Sequence, residues 1–483
     1  MVDSTSRDKL TDEEFRQKLE AHFALYRLNL RSPLITNITV NQWYRADLLL
    51  VNEVGLFRRA DIEPDGIVEI GCEILQSRHS KMAPLEADPE WKIEIRPAHT
   101  WNKRTNTLLN QFDEIPGFQA SGRGALEYRL VKAQTKTKAL EGSGEGSGAK
   151  VTSNLDNAVQ SQKPRHYLRF YPTKLDKFPQ QNDKNPDPMD IILPLVVGPL
   201  YVEDNSNNNN LSRKDTSSSL PSSSPSVNTY APPELWPDTT EMVYDTYRMF
   251  NTKNNVVIHE SWDSGIPGKI WDSALVMLDV LKKMAAVKPE YLSSKHIVDL
   301  SAGTGLLGLY LASLMTKESD SQVKCGKITI TELDEALALI DKNVDLNQYL
   351  VPDQPNDISS ATTTIRLATK PLLWGNLEQA AECGKADVIL ASDVLYESEF
   401  FEDLVKTFVD LSTSETRIYI GYKRRGFEAA DERRFWALCG EHFDVSFLTA
   451  DNSQDTDSCL VPFSALATGV QLYRLTVKHT SLR

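Results

Sequence analysis

One stretch constrains the fold of this chain more than any other, because it changes from strand to turn to helix within a few residues. Ile297–Gly308 reads Ile-Val-Asp-Leu, then Ser-Ala-Gly-Thr-Gly, then Leu-Leu-Gly. Its apolar start is typical of a buried parallel strand, and the run Leu306–Leu314 is typical of a helix packed on the sheet. Gly303 and Gly305 allow a sharp turn and a close approach to a ligand. An ordinary tight strand–helix turn is the alternative.

A second strand ends in an acidic residue. Ile328–Thr331 is rich in β-branched residues and is followed by Glu332. An acid at the end of the second strand of a βαβ unit can hydrogen bond to ribose hydroxyls. Its distance from the glycines is longer than in the dinucleotide pattern, which indicates a nucleoside ligand of another type. The alternative is an exposed carboxylate without a ligand.

The chain from about residue 241 onward alternates strands with helices. Helices are predicted over Trp271–Leu281 and Glu335–Leu346, and a strand over Ala386–Ala391. This order predicts an α/β domain with a mostly parallel sheet and helices on both faces. The alternating run Val470–Val477 suits an antiparallel strand at the sheet edge.

Ligands of such sheets bind at the carboxyl ends of the strands. Asp393 follows the fourth strand, and Trp374 lies between the second acid and that strand. Trp374 can stack on a purine, or it can be an ordinary core tryptophan. Asp393 can be a strand-end cap, and Tyr396 a core aromatic.

The N-terminal part has a different pattern. Thr11 and Glu14 predict a helix start with a capping box. Short strand-like runs follow, so residues 1–203 are predicted to be a mostly β accessory region without assignable chemistry. It contains a flexible Gly/Ser loop at about 134–163. The Asn/Ser/Pro-rich segment 204–240 predicts a disordered linker, after which residues 241–483 are expected to fold alone.

Composition narrows the functional classes. The 483 residues are 40% hydrophobic and carry a formal charge of −14, so nonspecific binding to nucleic acid or to anionic membranes is not expected. No apolar run reaches the ~18 residues of a membrane helix. The five cysteines lack metal-type spacing and indicate reduced thiols. We therefore expect no metal site and a cytoplasmic location, with the nucleus left open.

Four stretches, taken in order, resemble one known family. They are the segment from Ser261 to Val276, Asp299–Gly308, Leu372–Gly375 and Leu390–Tyr396. The chain resembles the class I, seven-β-strand methyltransferases that use S-adenosylmethionine, over about residues 245–478. Within them it is similar to the protein-lysine methyltransferases marked by Asp-x-x-Tyr after the fourth strand, such as those acting on valosin-containing protein and heat-shock chaperones. The resemblance implies a Rossmann-like fold.

The resemblance also implies roles for individual positions. The Ser301-Ala302-Gly303 backbone should approach the amino-acid end of the cofactor, Glu332 should bind the ribose, and Trp374 should flank the adenine. The complete cofactor-binding set that it implies is Trp271, Asp299, Ser301, Ala302, Gly303, Gly305, Glu332, Leu333, Trp374 and Ser392.

Three positions depart from the family pattern. The family usually has Glu at Asp299 and Gly at Ser301, and often Asp at Glu332. The two acidic exchanges keep the charge and change the reach by one methylene. Ser301 adds a side chain to the turn, so we expect its backbone angles to be ordinary ones.

The chemistry that the resemblance implies needs a neutral lysine amine, although a free lysine is protonated at pH 7. Asp393 is predicted to orient this amine, and Tyr396 to offer a hydroxyl and an aromatic wall, so both are predicted catalytic residues. The predicted partner is a protein substrate, by resemblance a chaperone or an AAA ATPase. Two alternatives stay open: a methyltransferase with a non-lysine acceptor, and a non-catalytic binding module, which Ser301 keeps in consideration.

Overall fold

The chain is described here by a computed structural model. The residues that it describes are 25–59, 62–77, 85–102, 105, 107–133, 164–177, 187–204, 242–243, 245–252, 255–315, 326–350, 365–425, 428–450 and 455–478. The predicted helix at Thr11, the Gly/Ser loop at 134–163 and almost all of the predicted linker lie outside these residues.

The N-terminal part is built almost entirely of strands. In chain order they are β1 Tyr26–Leu30, β2 Leu34–Ile35, β3 Asn37–Thr39, β4 Trp43–Val51, β5 Ile67–Ser77, β6 Glu86–Ala87, β7 Trp91–Pro97, β8 His99–Asn102, β9 Thr107–Phe112, β10 Gly117–Gln119, β11 Arg123–Lys132, β12 Arg165–Asp176, β13 Ile192–Leu193, β14 Leu195–Glu203, β15 Met242–Val243, β16 Thr246–Phe250 and β17 Val256–His259. A short helix, α1, spans Pro188–Ile191.

Thirteen of these strands form one large sheet, whose main path runs β13-β1-β4-β11-β10-β5-β12-β14-β16-β17. Alternation of buried and exposed side chains explains its core. In β4, for example, Tyr44, Ala46, Leu48 and Leu50 point inward and are buried, while the residues between them are partly exposed. The mostly β character predicted for the accessory region is confirmed.

The C-terminal part supplies the α/β layers. Its strands are β18 His296–Leu300, β19 Lys327–Glu332, β20 Arg366–Pro371, β21 Ala386–Ser392, β22 Ser412–Tyr422, β23 Phe443–Leu448 and β24 Gln471–Val477. Its helices are α2 Asp272–Val287, α3 Leu306–Leu314, α4 Leu337–Leu346, α5 Leu377–Cys383, α6 Phe401–Leu411, α7 Ala429–His442 and α8 Phe463–Thr468.

The seven strands form a second sheet in the order β20-β19-β18-β21-β22-β24-β23. All neighbours are parallel except for the two pairs that involve β24. The Rossmann-like, mostly parallel class is confirmed. The last strand lies second from the edge and not at the edge, because Phe443–Leu448, which the sequence did not single out as a strand, adds outside it. Among the described residues, no helix has the length and apolarity needed to cross a membrane.

The two parts share strands. β16 and β17, which fall inside the predicted domain 241–483, continue the N-terminal sheet through the pairing of β14 with β16. Phe250, Val256 and Ile258 nevertheless pack in the same core as α2, α3 and α4. β17 thus belongs to the N-terminal sheet by hydrogen bonding and to the C-terminal core by packing.

Asn343 of α4 and Asn347, the residue just after α4, cover the free edge of β17. The Asn343 amide donates to His259 O and accepts from His259 N, and the Asn347 amide does the same with Val257. Both asparagine side chains are buried. These bonds satisfy backbone groups that an edge strand would otherwise leave open.

Buried ion pairs also join the parts. Arg27 of β1 donates to Asp272 at 3.1 Å and to Ile270 O at 2.6 Å. Arg248 of β16 bonds to Glu260 at 2.6 Å and to Leu28 O at 2.7 Å. Breaking a buried pair leaves an uncompensated charge. This sharing of strands and charges speaks against the independent folding of residues 241–483 that linker composition predicts.

The residues that flank 205–241 pair with neighbouring short strands of the N-terminal part. Before this segment, Glu203 of β14 pairs with Thr39 of β3. After it, Met242 of β15 pairs with Ile35 of β2. The chain on either side of residues 205–241 is therefore anchored on the N-terminal part, at β3 and at β2.

Candidate active site

A cavity of about 320 Å³ lies at the carboxyl ends of β18, β19 and β21. This volume falls at the lower end of the range for small-ligand sites, about 300–1,000 Å³. The predicted site residues that line it are Trp271, Asp299, Ser301, Ala302, Gly303, Glu332, Leu333, Ser392, Asp393 and Tyr396. Gly305 and Trp374 are not among its lining residues.

Asp299 ends the first strand as a buried carboxyl group. Its Oδ2 accepts from Gly308 N at 2.8 Å, which ties the strand to the first turn of α3. Burial, together with the nearby Glu332 charge, raises the pKa of Asp299 to about 7. The side chain therefore loses its proton close to neutral pH.

The turn after Asp299 holds its residues in left-handed conformations. Ser301 has φ of 55°, Gly303 56° and Gly305 77°. The expectation of ordinary angles at Ser301 is wrong, since this turn keeps the left-handed geometry for which the family pattern has glycine. The Ser301 hydroxyl accepts from Trp374 Nε1 at 2.9 Å. That bond is the local contact that accompanies the unfavourable angle.

Glu332 closes over the glycine turn. Its carboxylate accepts from Gly303 N and from Leu333 N, each at 2.9 Å. Burial is the main cause that raises its pKa, and these two backbone bonds oppose the rise. The side chain links the ends of β18 and β19 and faces the cavity.

Two aromatic residues, Trp374 and Tyr396, lie close to each other at the cavity. The Trp374 ring lies 5.8 Å from the Tyr396 ring, measured between centroids, and its Nε1 is bonded to Ser301. Tyr396 lines the cavity and is 43% exposed. Trp374 therefore stands behind Tyr396, and its predicted contact with adenine stays a prediction.

Trp271 and Ser392 also line the cavity. Trp271 Nε1 donates to Ile266 O at 3.0 Å, which fixes the ring beside the start of α2. The Ser392 hydroxyl is 2.7 Å from the Ser273 hydroxyl. These two contacts thus join the start of α2 to residues that line the cavity.

Asp393 is held by charged partners. Its φ of 55° turns the chain sharply after β21. Oδ1 accepts from Arg425 Nη1 at 2.6 Å and from Lys423 N at 3.0 Å, and Oδ2 accepts from Arg425 Nη2 at 2.8 Å. The carboxylate is therefore fixed in direction, and a cation already stands beside it.

Sequence reasoning missed Arg425, Lys423 and Glu53. Arg425 also donates to Glu53, whose position in the sequence is 372 residues away. Burial acts against the ionised form, but Arg425 outweighs it and lowers the pKa of Glu53 to about 2. No spacing or motif marks such a pair, so the sequence offered no signal for it.

Comparison with known proteins indicates which reaction this part of the chain catalyses. Residues 251–441 match the family model described as lysine methyltransferase. This part of the chain is a lysine methyltransferase domain. Its cofactor is S-adenosylmethionine and its substrate is a protein.

The matches to curated relatives extend over most of the length of each relative. Protein N-lysine methyltransferase METTL21A of Xenopus tropicalis is 28% identical over 44% of this chain and 86% of the relative. The Mus musculus protein of the same name is 29% identical over 43% and 83%. EEF1A lysine methyltransferase 3 of Xenopus tropicalis is 26% identical over 37% and 67%. A solved O-methyltransferase structure from Agrobacterium tumefaciens covers 42% of this chain and 81% of its own at 14% identity and a TM-score of 0.27, too low to bear on function.

The cavity of this lysine methyltransferase domain suits its cofactor chemically. A Cβ at Gly303 would come within 3.2 Å of Pro267 O, so a side chain at this position would crowd the backbone that lines the cavity. Asp299, Glu332 and Glu335 line the cavity with carboxyl groups, which complement the positive charges of S-adenosylmethionine. Backbone N–H groups at the start of α3 suit its carboxylate.

Proposed function

We propose that this domain transfers the methyl group of S-adenosylmethionine to a lysine held between Asp393 and Tyr396. The observation that carries the proposal is the fixed carboxylate of Asp393 on the cavity wall, with the half-exposed Tyr396 ring lining the same cavity. The cofactor, when bound, supplies an activated methyl group on a sulfonium. A lysine that has first given its ammonium proton to water would form the new N–C bond with the freed lone pair, and the electron pair of the broken S–CH₃ bond would stay on sulfur.

Asp393 acts in this proposal as an orienting group. An ionised carboxylate has about four lone-pair sites, and Arg425 and Lys423 occupy three of them. The site that remains, on Oδ2, is suited to accept one hydrogen bond from the lysine amine. Holding an amine in line with the reacting carbon is a contribution that positioning alone can make large.

The substrate is a further proposal. The resemblance in the four sequence stretches supports a chaperone or an AAA ATPase. A second candidate is elongation factor 1A, because one curated relative is named EEF1A lysine methyltransferase 3. We also propose a cytoplasmic or nuclear location, which the free thiols of Cys72, Cys383, Cys439 and Cys459 support. Fluorescence microscopy of the tagged chain tests the location.

The test combines the full chain and labelled S-adenosylmethionine with purified Hsp70-type chaperone, valosin-containing protein and elongation factor 1A. Mass spectrometry of each labelled protein identifies the modified residue. We expect label on lysine, and a rate at least about 10²-fold lower for Asp393→Asn, with binding of S-adenosylhomocysteine retained. Label on another residue type excludes the lysine acceptor. Full activity of Asp393→Asn excludes the assigned role of this carboxylate.

A further inference from the structure

Glu53 brings a carboxylate of the N-terminal part to the residues around Asp393. It stands two residues beyond the end of β4 and is 6% exposed. Its carboxylate faces Arg425 of the methyltransferase domain, with Oε1 2.9 Å from Nε and Oε2 2.9 Å from Nη2. Its Oε2 also accepts from Asp272 N at 2.8 Å, at the start of α2.

The Arg425 guanidinium is saturated. Two of its N–H groups donate to Glu53, two donate to Asp393 at 2.6 and 2.8 Å, and Nη1 also donates to Lys423 O at 2.9 Å. These five bonds use all five donors of the planar group. Its position is therefore determined by Glu53 on one side and by Asp393 on the other.

The loop that carries Glu53 is itself well ordered. Asn52 Oδ1 accepts from Val54 N at 3.1 Å and from Leu56 N at 2.9 Å, which closes a tight turn. Gly55 in that turn has φ of 83°, and a Cβ there would lie 3.5 Å from the Trp262 ring. The turn thus rests on the segment just before α2, whose next residues line the cavity.

Arg425 also contacts a second residue that lines the cavity, Trp271. The carbon of its guanidinium lies 5.0 Å from the centre of the Trp271 ring, and Trp271 lines the cavity. Lys423, two residues earlier, donates from its backbone to Asp393 and from its ammonium to Asp272. The residues around Asp393 therefore form one connected charged network, and the N-terminal part supplies a carboxylate to it.

We propose that Glu53 is a positioning residue for methyl transfer, acting through Arg425 to hold Asp393 in the direction that receives the acceptor amine. The N-terminal β region is then part of the catalytic unit. This inference rests on the proposed function, because it assigns Asp393 the orienting role. Without the Glu53 charge, Arg425 keeps only one carboxylate, and Asp393 loses the rigid partner that fixes its oxygens.

The test compares two isosteric changes in the full chain. Glu53→Gln keeps the side-chain shape but places an amide N–H against a guanidinium N–H. Glu127→Gln is the matched control, since Glu127 is also a buried N-terminal carboxylate with two bonds to an arginine, Arg96, at 2.9 and 2.7 Å. Initial rates of tritium transfer from S-adenosylmethionine are measured over a range of whole-cell lysate protein concentrations, and S-adenosylhomocysteine binding by calorimetry.

We expect Glu53→Gln to lower the limiting rate by about 10- to 100-fold, the scale of a misplaced reacting group. Cofactor affinity should stay within about threefold of the unaltered chain, and Glu127→Gln should retain its rate. In an Asp393→Asn background, Glu53→Gln should have almost no further effect, because residues that act as one unit are not additive. A purely structural role would instead lower both backgrounds by the same factor.

Three results overturn the inference: equal rates for the two single variants, multiplicative losses in the double variant, or a parallel loss of cofactor binding. If Glu53→Gln does not fold, Arg425→Lys decides in its place, since lysine keeps the charge but lacks the fork that grips both carboxylates. It should show the same rate loss with retained cofactor affinity, and full activity overturns the inference. An unaltered chain that transfers no label contradicts the proposed function instead, so the two failures are distinguishable.

Discussion

Asp299 makes the stability of the protein depend on pH. A carboxyl group whose pKa is raised on folding contributes stability below its unfolded pKa and loses it as pH rises through the folded value. The loss for Asp299 therefore falls between pH ~4, the ordinary value, and pH about 7. Asp299→Asn removes this titration while its amide oxygen can still accept from Gly308 N.

We accordingly expect the stability of Asp299→Asn relative to the unaltered chain to rise between pH 5 and pH 7 and then to level off. The rise should be about 1–3 kcal/mol, from about 1.4 kcal/mol per pKa unit. Urea unfolding of both proteins across pH 5–8, without cofactor, measures the difference. A difference that does not change with pH would show that Asp299 is already ionised at pH 5.

Glu332 carries the second residue-scale prediction. Glu332→Ala should weaken binding of S-adenosylhomocysteine by about 1–3 kcal/mol, the range for a lost hydrogen bond to a charged group. It also releases Gly303 N, which Glu332 now holds. Glu378→Ala is the control, because Glu378 is exposed and is not among the residues that line the cavity. Calorimetry measures both, and equal affinities would remove Glu332 from the cofactor site.

Single residues differed in how well the sequence revealed them. Glu332 and Asp393 were found because each comes at the carboxyl end of a strand of a parallel sheet, where the topology gathers side chains at one edge. Asp299 was found only through the family resemblance. Glu53 and Arg425 were not found, since their meeting depends on how two distant parts of the chain pack. Their charges carry no sequence spacing that indicates a shared site.

The strand–turn–helix element from β18 to α3 gives a prediction about strain. A non-glycine residue in the left-handed region costs roughly 1 kcal/mol. Ser301→Ala and Ser301→Gly both lose the bond from Trp374, but only glycine relieves the angle. We expect the glycine variant to be the more stable of the two by about 1 kcal/mol in thermal or urea unfolding. An alanine variant of equal or greater stability would mean that the turn relaxes to ordinary angles in solution.

Elements were predicted best where the pattern was local. The strand–turn–helix at Ile297–Leu314 and the strand–helix alternation after it follow from apolar periodicity, which needs no tertiary information. The place of β24 was not predictable in the same way. Its alternation indicates one face toward solvent, and it does not reveal that β23 forms the neighbouring edge.

At the scale of the whole molecule, the shared strands predict the outcome of proteolysis. A cut between residues 205 and 240 should leave two pieces that elute together in gel filtration, because β14 and β16 remain hydrogen bonded and Arg27 remains paired with Asp272. The piece that begins near residue 241, produced alone, should be insoluble or much less stable. Pieces that separate without denaturant, or a stable isolated C-terminal piece, would contradict this.

The sequence predicted a β-rich N-terminal part and an α/β C-terminal part. It did not predict how these two parts join. The segment after residue 204 has few apolar side chains, which predicts a stretch outside the cores but does not predict where its ends lie. Two backbone registers decide that, those of Glu203 with Thr39 and of Met242 with Ile35. Pairings of this kind depend on long-range contacts that composition does not encode.

Those two registers make residues 205–241 a suitable place to insert a reporter. Both ends of this segment stay anchored on the same pair of short strands, so lengthening it does not change the distance that must be closed. Each doubling of a flexible loop costs only about 0.6 kcal/mol of closure entropy. A fluorescent protein or an affinity tag inserted there should leave the enzyme intact. Neither terminus of the enzyme is then needed for the tag.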